Sequence, residues 1–404
     1  MRNYIFGLFL LFYLPSFSQE SKKRDSISAV QIKLFNTDYK DFEIAKNKVY
    51  ALTKGNILVV FDLKKEKIVK VEYDVFAIAK NKKHEVVYIN GNNEMVSPKS
   101  GVKEKIAIGF KPYRLLFDHK NNAIIITDNG LIYKNKRYNP TAIEYNYRYY
   151  KSKSLDDKTK VFKNPDLVYL DTQNRLWLTY DRGEFGQDVL FFDLEKKVFY
   201  EDGYLMVDEN YDESERREKY FNDLKSKFPD KIKVVENDTL YKFPYQLQIS
   251  NPIRGIIEKD NKIFVSQSLI HFFVDSNFSV IEKKGNDGFC KNYNITKDLL
   301  EFDPDFEELD RVREFLGPIQ YNRFNSAIYY YTNKGFFKII ELENKYDKEF
   351  IFKPLILWSA TNRNNIGADI NVTKFEFISE KEIIFLTTNN GIGYFNGKTV
   401  KYYK

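Results

Sequence analysis

The sequence predicts an all-β protein: a seven-bladed β-propeller of short antiparallel sheets, with two helical insertions. Three observations predict it. A unit of apolar strand, polar turn, second apolar strand ending in Thr or a substitute, and a turn often holding Gly recurs about seven times in 404 residues. Apolar runs such as Ile124-Ile125-Ile126 are continuous, not alternating. Strands covered on both faces read this way, and a propeller covers both because each blade lies between two others. The turns are rich in Asn, Asp and Gly, which supply the positive φ of tight hairpins.

The copies run in order. Copy one has Phe42-Glu43-Ile44, a turn at Lys46-Asn47, then Val49 to Thr53 and Gly55. Copy two has Val75 to Ala79, a turn around Asn81 and Val86 to Ile89. Copy three has Tyr113 to Phe117, Ile124 to Thr127 and Gly130. Copy four is the clearest: Asp171-Thr172-Gln173-Asn174-Arg175-Leu176-Trp177-Leu178-Thr179. Copies five to seven place their second strands at Ile263 to Ser266, Ile328 to Thr332 and Ile383 to Thr388. β-Branched and aromatic residues dominate these strands, as a pleated buried surface requires. The order of the unit, repeated at one period, favours a propeller over a β-sandwich or other solenoid.

Asp171…Asn174-Arg175-Leu176-Trp177-Leu178-Thr179 and Ile383 to Ile392 resemble the two-component-regulator propeller repeat. That unit reads roughly Asp-x-x-Gly-x-Leu-Trp-Ile-x-Thr-x-x-Gly-Leu and is common in periplasmic sensor regions of hybrid histidine kinases. The resemblance spans most of the chain, weakly. Trp survives once, and Tyr88, Ile125, Phe264, Tyr330 or Phe385 take its place elsewhere. It implies a sensor-like propeller without a kinase domain, and it carries no binding site.

Residues 1–18 read as a signal peptide: Arg2, an apolar run from Tyr4 to Leu14, and Ser16-Phe17-Ser18 before Gln19. The apolar run is too short for a membrane span, which needs ~20 residues. The expected product is exported, periplasmic or extracellular, with residues 19–404 as one domain and no transmembrane anchor. Hydrophobic content of 43% with 17% aromatics excludes a disordered chain. The lone Cys290 permits no internal disulfide. Net charge is +7 without a dense basic stripe, so no nucleic-acid partner is expected.

Three segments interrupt the rhythm. Residues 134–164 interleave Tyr145, Tyr147, Arg148 and Tyr149, a candidate ligand surface because aromatics beside a cation stack on sugar or peptide. Residues 201–248 predict a helix with Tyr220, Phe221, Leu224 and Phe228 on one face, ended by Pro229. Residues 283–317 predict another, capped by Asp303-Pro304, with Phe315 and Leu316 on its apolar side and Gly317 as its stop. Its acids only partly mimic a calcium loop and suit the helix dipole better.

His84, His119 and His271 lack metal-ligand spacing, and no nucleophile or phosphate-loop motif appears. No metal, cofactor or catalytic residue is expected. The function expected is a non-enzymatic binding module for a protein, peptide or glycan at one propeller face. The alternative is a propeller-fold glycoside hydrolase or polysaccharide lyase, which would need several acids, or a His/Tyr/Arg group, around the channel mouth. Ile27 to Phe35 alternates like a strand and is expected to pair outside the last strand, Thr399 to Tyr403.

Overall fold

The structure is a computed structural model. It describes residues 38–99, 101–106, 110–140, 150–152, 160–181, 187–201, 252–267, 270–274, 280–285, 315–342, 345–354, 371–388 and 390–403. It also describes short strands at 29–32, 204–206, 233–234 and 240–242, and residue 226.

The chain is a β-propeller. Sheet one is Tyr39–Ala45, Lys48–Thr53, Leu58–Asp62 and Lys67–Glu72. Sheet two is Val75–Lys80, Val86–Asn90, Glu94–Val96 and Lys103–Lys105. Sheet three is Pro112–Phe117, Ala123–Thr127, Gly130–Tyr133 and Lys136–Tyr138. Sheet four is Leu167–Leu170, Arg175–Asp181, Gln187–Asp193 and Val198–Glu201. Sheet five is Ile253–Lys259, Lys262–Gln267, Ile270–Val274 and Val280–Gly285. Sheet six is Leu316–Asn322, Ala327–Thr332, Gly335–Leu342 and Lys345–Phe352. The last sheet has five strands: Val372–Phe377, Ile383–Thr387, Ile392–Phe395, Val400–Tyr403 and, outermost, Ala29–Ile32. Small sheets at 150–162 and 204–242 lie between sheets three, four and five in the chain.

First strands touch between sheets one and two, two and three, four and five, five and six, and six and the last, and apolar side chains fill the seams. Ile124, Leu131, Leu176 and Phe192 join sheets three and four. Phe336, Phe352, Phe385 and Phe395 join sheet six to the last, with Phe352 and Phe395 stacked at 3.8 Å. Phe42, Ile44 and Ala51 meet Ile384 and Leu386, so the last sheet packs on the first and the ring closes. The N-terminal strand pairs outside the C-terminal one, as expected from its alternation; the pairing is parallel, with Ala29 opposite Val400 and Ile32 opposite Tyr403.

The recurring residues have recurring jobs. In the turn after the first strand, an Asn or Asp carboxyl or amide oxygen accepts from the backbone N–H groups two and four residues on. Asn81, Asp118 and Asp171 do this, at 2.7–3.0 Å. The residue three positions on, His84, Asn121 or Asn174, is left-handed at φ 58–66°. Asn tolerates this conformation best, which explains Asn where the resembled repeat has Gly. Thr at the end of the second strand ties the next turn. Thr127 donates to Gly130 O at 2.9 Å and Thr387 to Gly391 O at 2.7 Å.

Two expectations need correction. Leu316 and Gly317 do not end a helix; they open the first strand of sheet six, Leu316–Asn322. β-Pairing with Thr332 outweighs the helical spacing of Phe315 and Leu316. Residues 136–138 are not insertion but the outer strand of sheet three, and Tyr138 packs on Phe192 at 5.2 Å. The expected helix bodies around 212–228 and 303–314, and Cys290, lie outside the described residues, apart from a helical Ser226.

Candidate functional site

The site is built where four first strands end. A cavity of about 830 Å³ opens among the turns that follow the first strands of sheets one, two, six and the last. Sheet one contributes Ile44 to Lys48, and sheet two Lys80 and Lys83 to Val86. Sheet six contributes Gln320, Tyr321, Arg323 and Phe324; the last sheet contributes Glu376, Phe377 and Ile378. Pro98, Lys99, Asp62 and Tyr50 complete the wall. Its size lies in the ~300–1,000 Å³ range of ligand pockets.

Elsewhere the same ring of turns is latched shut. Lys82 N–H donates to Asn121 Oδ1 at 2.9 Å, and His119 Nε2 sits 2.9 Å from Asp171 O. Glu258 of sheet five accepts from Thr172 N–H and Oγ1, at 2.9 and 2.7 Å, and from the Tyr169 hydroxyl at 3.2 Å. Burial and Glu258 together push that hydroxyl's pKa up. Among the cavity's own sheets, Asn322 Nδ2 of sheet six donates to Glu380 O of the last sheet at 3.0 Å.

An ion network joins the first strands of the last sheet, sheet one and sheet two, and two of its members, Lys80 and Glu376, line the cavity. Six first strands carry a β-bulge near their start, which re-aims the following side chains. In the last sheet the bulge precedes Lys374. Its Nζ reaches Asp41 Oδ1 at 2.9 Å, Phe42 O at 2.6 Å and Glu43 Oε1 at 3.1 Å. Lys80 lies 3.0 Å from Glu376 Oε2 and 3.6 Å from Glu43 Oε2. Burial opposes the charge on Lys374, but Asp41, Glu43 and Glu376 outweigh it and hold its pKa up. Burial pushes the Glu43 carboxyl up to about 7, against the pull of Lys374.

The cavity acids are committed. Glu376 pairs with Lys80, Glu85 with Lys99 at 2.7 Å, and Asp62 accepts from Lys64 and Lys65 N–H at 3.0–3.1 Å. The cations are not: Lys46, Lys48, Lys83 and Arg323 form no ion pair among the described residues. Phe324 stands half exposed beside them, with the Arg323 guanidinium 5.2 Å from its ring centre. The acids that line the cavity among the described residues are Asp62, Glu85 and Glu376. Among the described residues no group of three His, Cys, Asp or Glu could hold a metal.

Tyr145, Tyr147, Arg148 and Tyr149, the candidate ligand residues from sequence, lie outside the described residues. His84 and His119 occupy turns and His271 a strand, as expected. Sequence reasoning missed Lys46, Lys83, Arg323 and Phe324, because hairpin turns are polar for many reasons. The network had a signal: Asp41-Phe42-Glu43 and Lys374-Phe375-Glu376 put charges on alternate residues of first strands, where a core strand would be apolar.

No family model and no curated relative matches the chain. It is similar in fold to several solved structures. One, titled "Crystal Structure of Mitotic Checkpoint Complex", covers 98% of each chain at 7% identity, TM-score 0.49. "YCF48 bound to D1 peptide" covers 92% of this chain and 94% of that one at 8% identity, TM-score 0.46. The Cps50 (Swd1) β-propeller domain of Myceliophteria thermophila covers 90% and 98% at 7% identity, TM-score 0.45.

Proposed function

We propose that this protein is an exported, non-enzymatic interaction module that receives a protein or peptide segment in the cavity over its channel. The observation that carries the reading is the composition of that cavity: four cations with no ion pair among the described residues, a half-exposed Phe324, and acids bonded to Lys80, Lys99 or backbone N–H groups. Such a surface can hold a ligand through charge and apolar contact. The six four-stranded sheets and the five-stranded sheet are read as one seven-bladed ring. Residues 1–18 support export. The likeness of copies four and seven to the two-component-regulator repeat suits a sensor-type module.

Selection from a displayed peptide library, followed by hydrogen-exchange mapping of the complex, tests the reading. Protection is expected at residues 44–48, 80–86 and 320–324. Protection confined to residues outside this mouth would overturn it. Deleting residues 1–18 should leave the chain in the cytoplasm, as fractionation would show.

A further inference from the structure

We infer that the segment this cavity takes is an acidic peptide carrying an apolar or aromatic anchor residue. This rests on the reading of the cavity as an interaction site and adds the chemical class of its partner.

Charge complementarity is the first argument. Lys46 and Lys48 stand on the turn of sheet one, Lys83 on that of sheet two, and Arg323 on that of sheet six. They come from three sheets and converge on one cavity. None has an ion-pair partner among the described residues, while Glu376 and Glu85 pair with Lys80 and Lys99 and Asp62 accepts from backbone N–H groups. A set of cations left without counter-charge favours an anionic partner and repels a cationic one.

The apolar wall is the second argument. Ile44, Tyr321, Phe377 and Ile378 line the same cavity, and Phe324 projects at its edge with 47% of its surface exposed. A pocket of mixed character takes a side chain into the apolar part while flanking charges fix the register. Phe324, with the Arg323 guanidinium 5.2 Å from its ring centre, is an exposed aromatic that a partner's apolar side chain can cover. A neutral glycan fits less well. It would leave the four cations without a counter-charge. A simple anion fits less well too, since it would leave the aromatic wall uncovered.

The experiment uses the full chain without residues 1–18 and three fluorescent probes. One is a twelve-residue peptide of Asp and Glu with a central Phe. The second replaces every acid by its amide. The third is a sulfated polysaccharide. Tight, salt-sensitive binding of the first peptide is expected, with the amide peptide about tenfold weaker or worse, a difference of ~1.4 kcal/mol. The variant Lys46→Asn, Lys48→Gln, Lys83→Gln, Arg323→Gln should lose that preference while melting as the parent does. Phe324→Ala should weaken both peptides.

Equal binding of the acidic and amide peptides, with both lost in Phe324→Ala, would overturn the acidic class and leave the interaction site standing. Binding of the polysaccharide with neither peptide would overturn the peptide class. Acidic binding untouched by both variants would overturn this site.

Discussion

The Trp177 indole Nε1 donates to Asp171 Oδ2 at 3.0 Å, and the Arg175 Nε reaches the same oxygen at 2.7 Å. The other carboxylate oxygen accepts from Gln173 and Arg175 N–H at 3.0 and 2.9 Å. One buried carboxylate therefore satisfies four donors and joins a turn to the strand it begins. Asp171→Asn should destabilise the fold by ~3–5 kcal/mol, because it leaves Arg175 buried without its counter-charge. Trp177→Phe keeps most of the edge-on contact with Phe191 and should cost ~1 kcal/mol for the lost hydrogen bond. Trp177→Ala should cost ~3–5 kcal/mol. Urea unfolding of the three variants checks the order.

The channel network makes stability fall with rising pH. Glu43 is held up to about 7, while an unfolded Glu titrates near ~4.3. A group whose folded pKa is raised contributes stability that is whole below the unfolded pKa and is lost as pH rises through the folded one. Wild type should lose up to about 3 kcal/mol between pH 5 and pH 8 from this group, and Glu43→Gln should lack that step. Thermal melts across that range would decide it; parallel curves for the two proteins would refute the assignment.

Lys374→Met should act in the opposite sense to Glu43→Gln. It strands Asp41, Glu43 and Glu376 without their shared cation and should cost ~3–5 kcal/mol near neutral pH. The deficit should shrink toward acid pH as the carboxylates protonate. A pH-independent deficit would show that Lys374 matters through packing alone.

Gly335 opens the third strand of sheet six at φ 132°, and an added Cβ would stand 2.7 Å from Phe352 O. Gly335→Ala meets both a disfavoured backbone region and a backbone clash. A loss of ~2–3 kcal/mol is expected, measured by chemical unfolding.

Ring closure by the N-terminal strand gives a truncation test. Residues 29–32 pair with 400–403 across the outer edge of the last sheet. Removing residues 19–32 deletes that ladder and bares a strand edge. A loss of ~1–3 kcal/mol is expected from a few hydrogen bonds at ~0.5–1.5 kcal/mol each. A trimmed protein as stable as the parent would show that the strand contributes nothing to closure.

Repeat-level features were legible in sequence because they are local. The turn of copy four needs Asp171 to accept and Asn174 to adopt a positive φ, and both demands are met within four residues. Thr127 and Thr387 likewise serve turns that begin at their own strand ends. The misread end at Leu316 and Gly317 shows the limit. Phe315 and Leu316 suit a helix face or a strand end equally, and Thr332, sixteen residues on, decides.

The sequence by itself determined the strand-and-turn unit, its recurrence and the strand added at the N-terminus, since each follows from backbone preference over a few residues. Only the tertiary structure decided where chemistry gathers. Lys374 meets Asp41 and Glu43 from more than 330 positions away, and Arg323 shares a cavity with Lys46 and Lys83. Closing the ring brings the ends of first strands together around one channel, and no spacing along the chain encodes which of those ends will face one another.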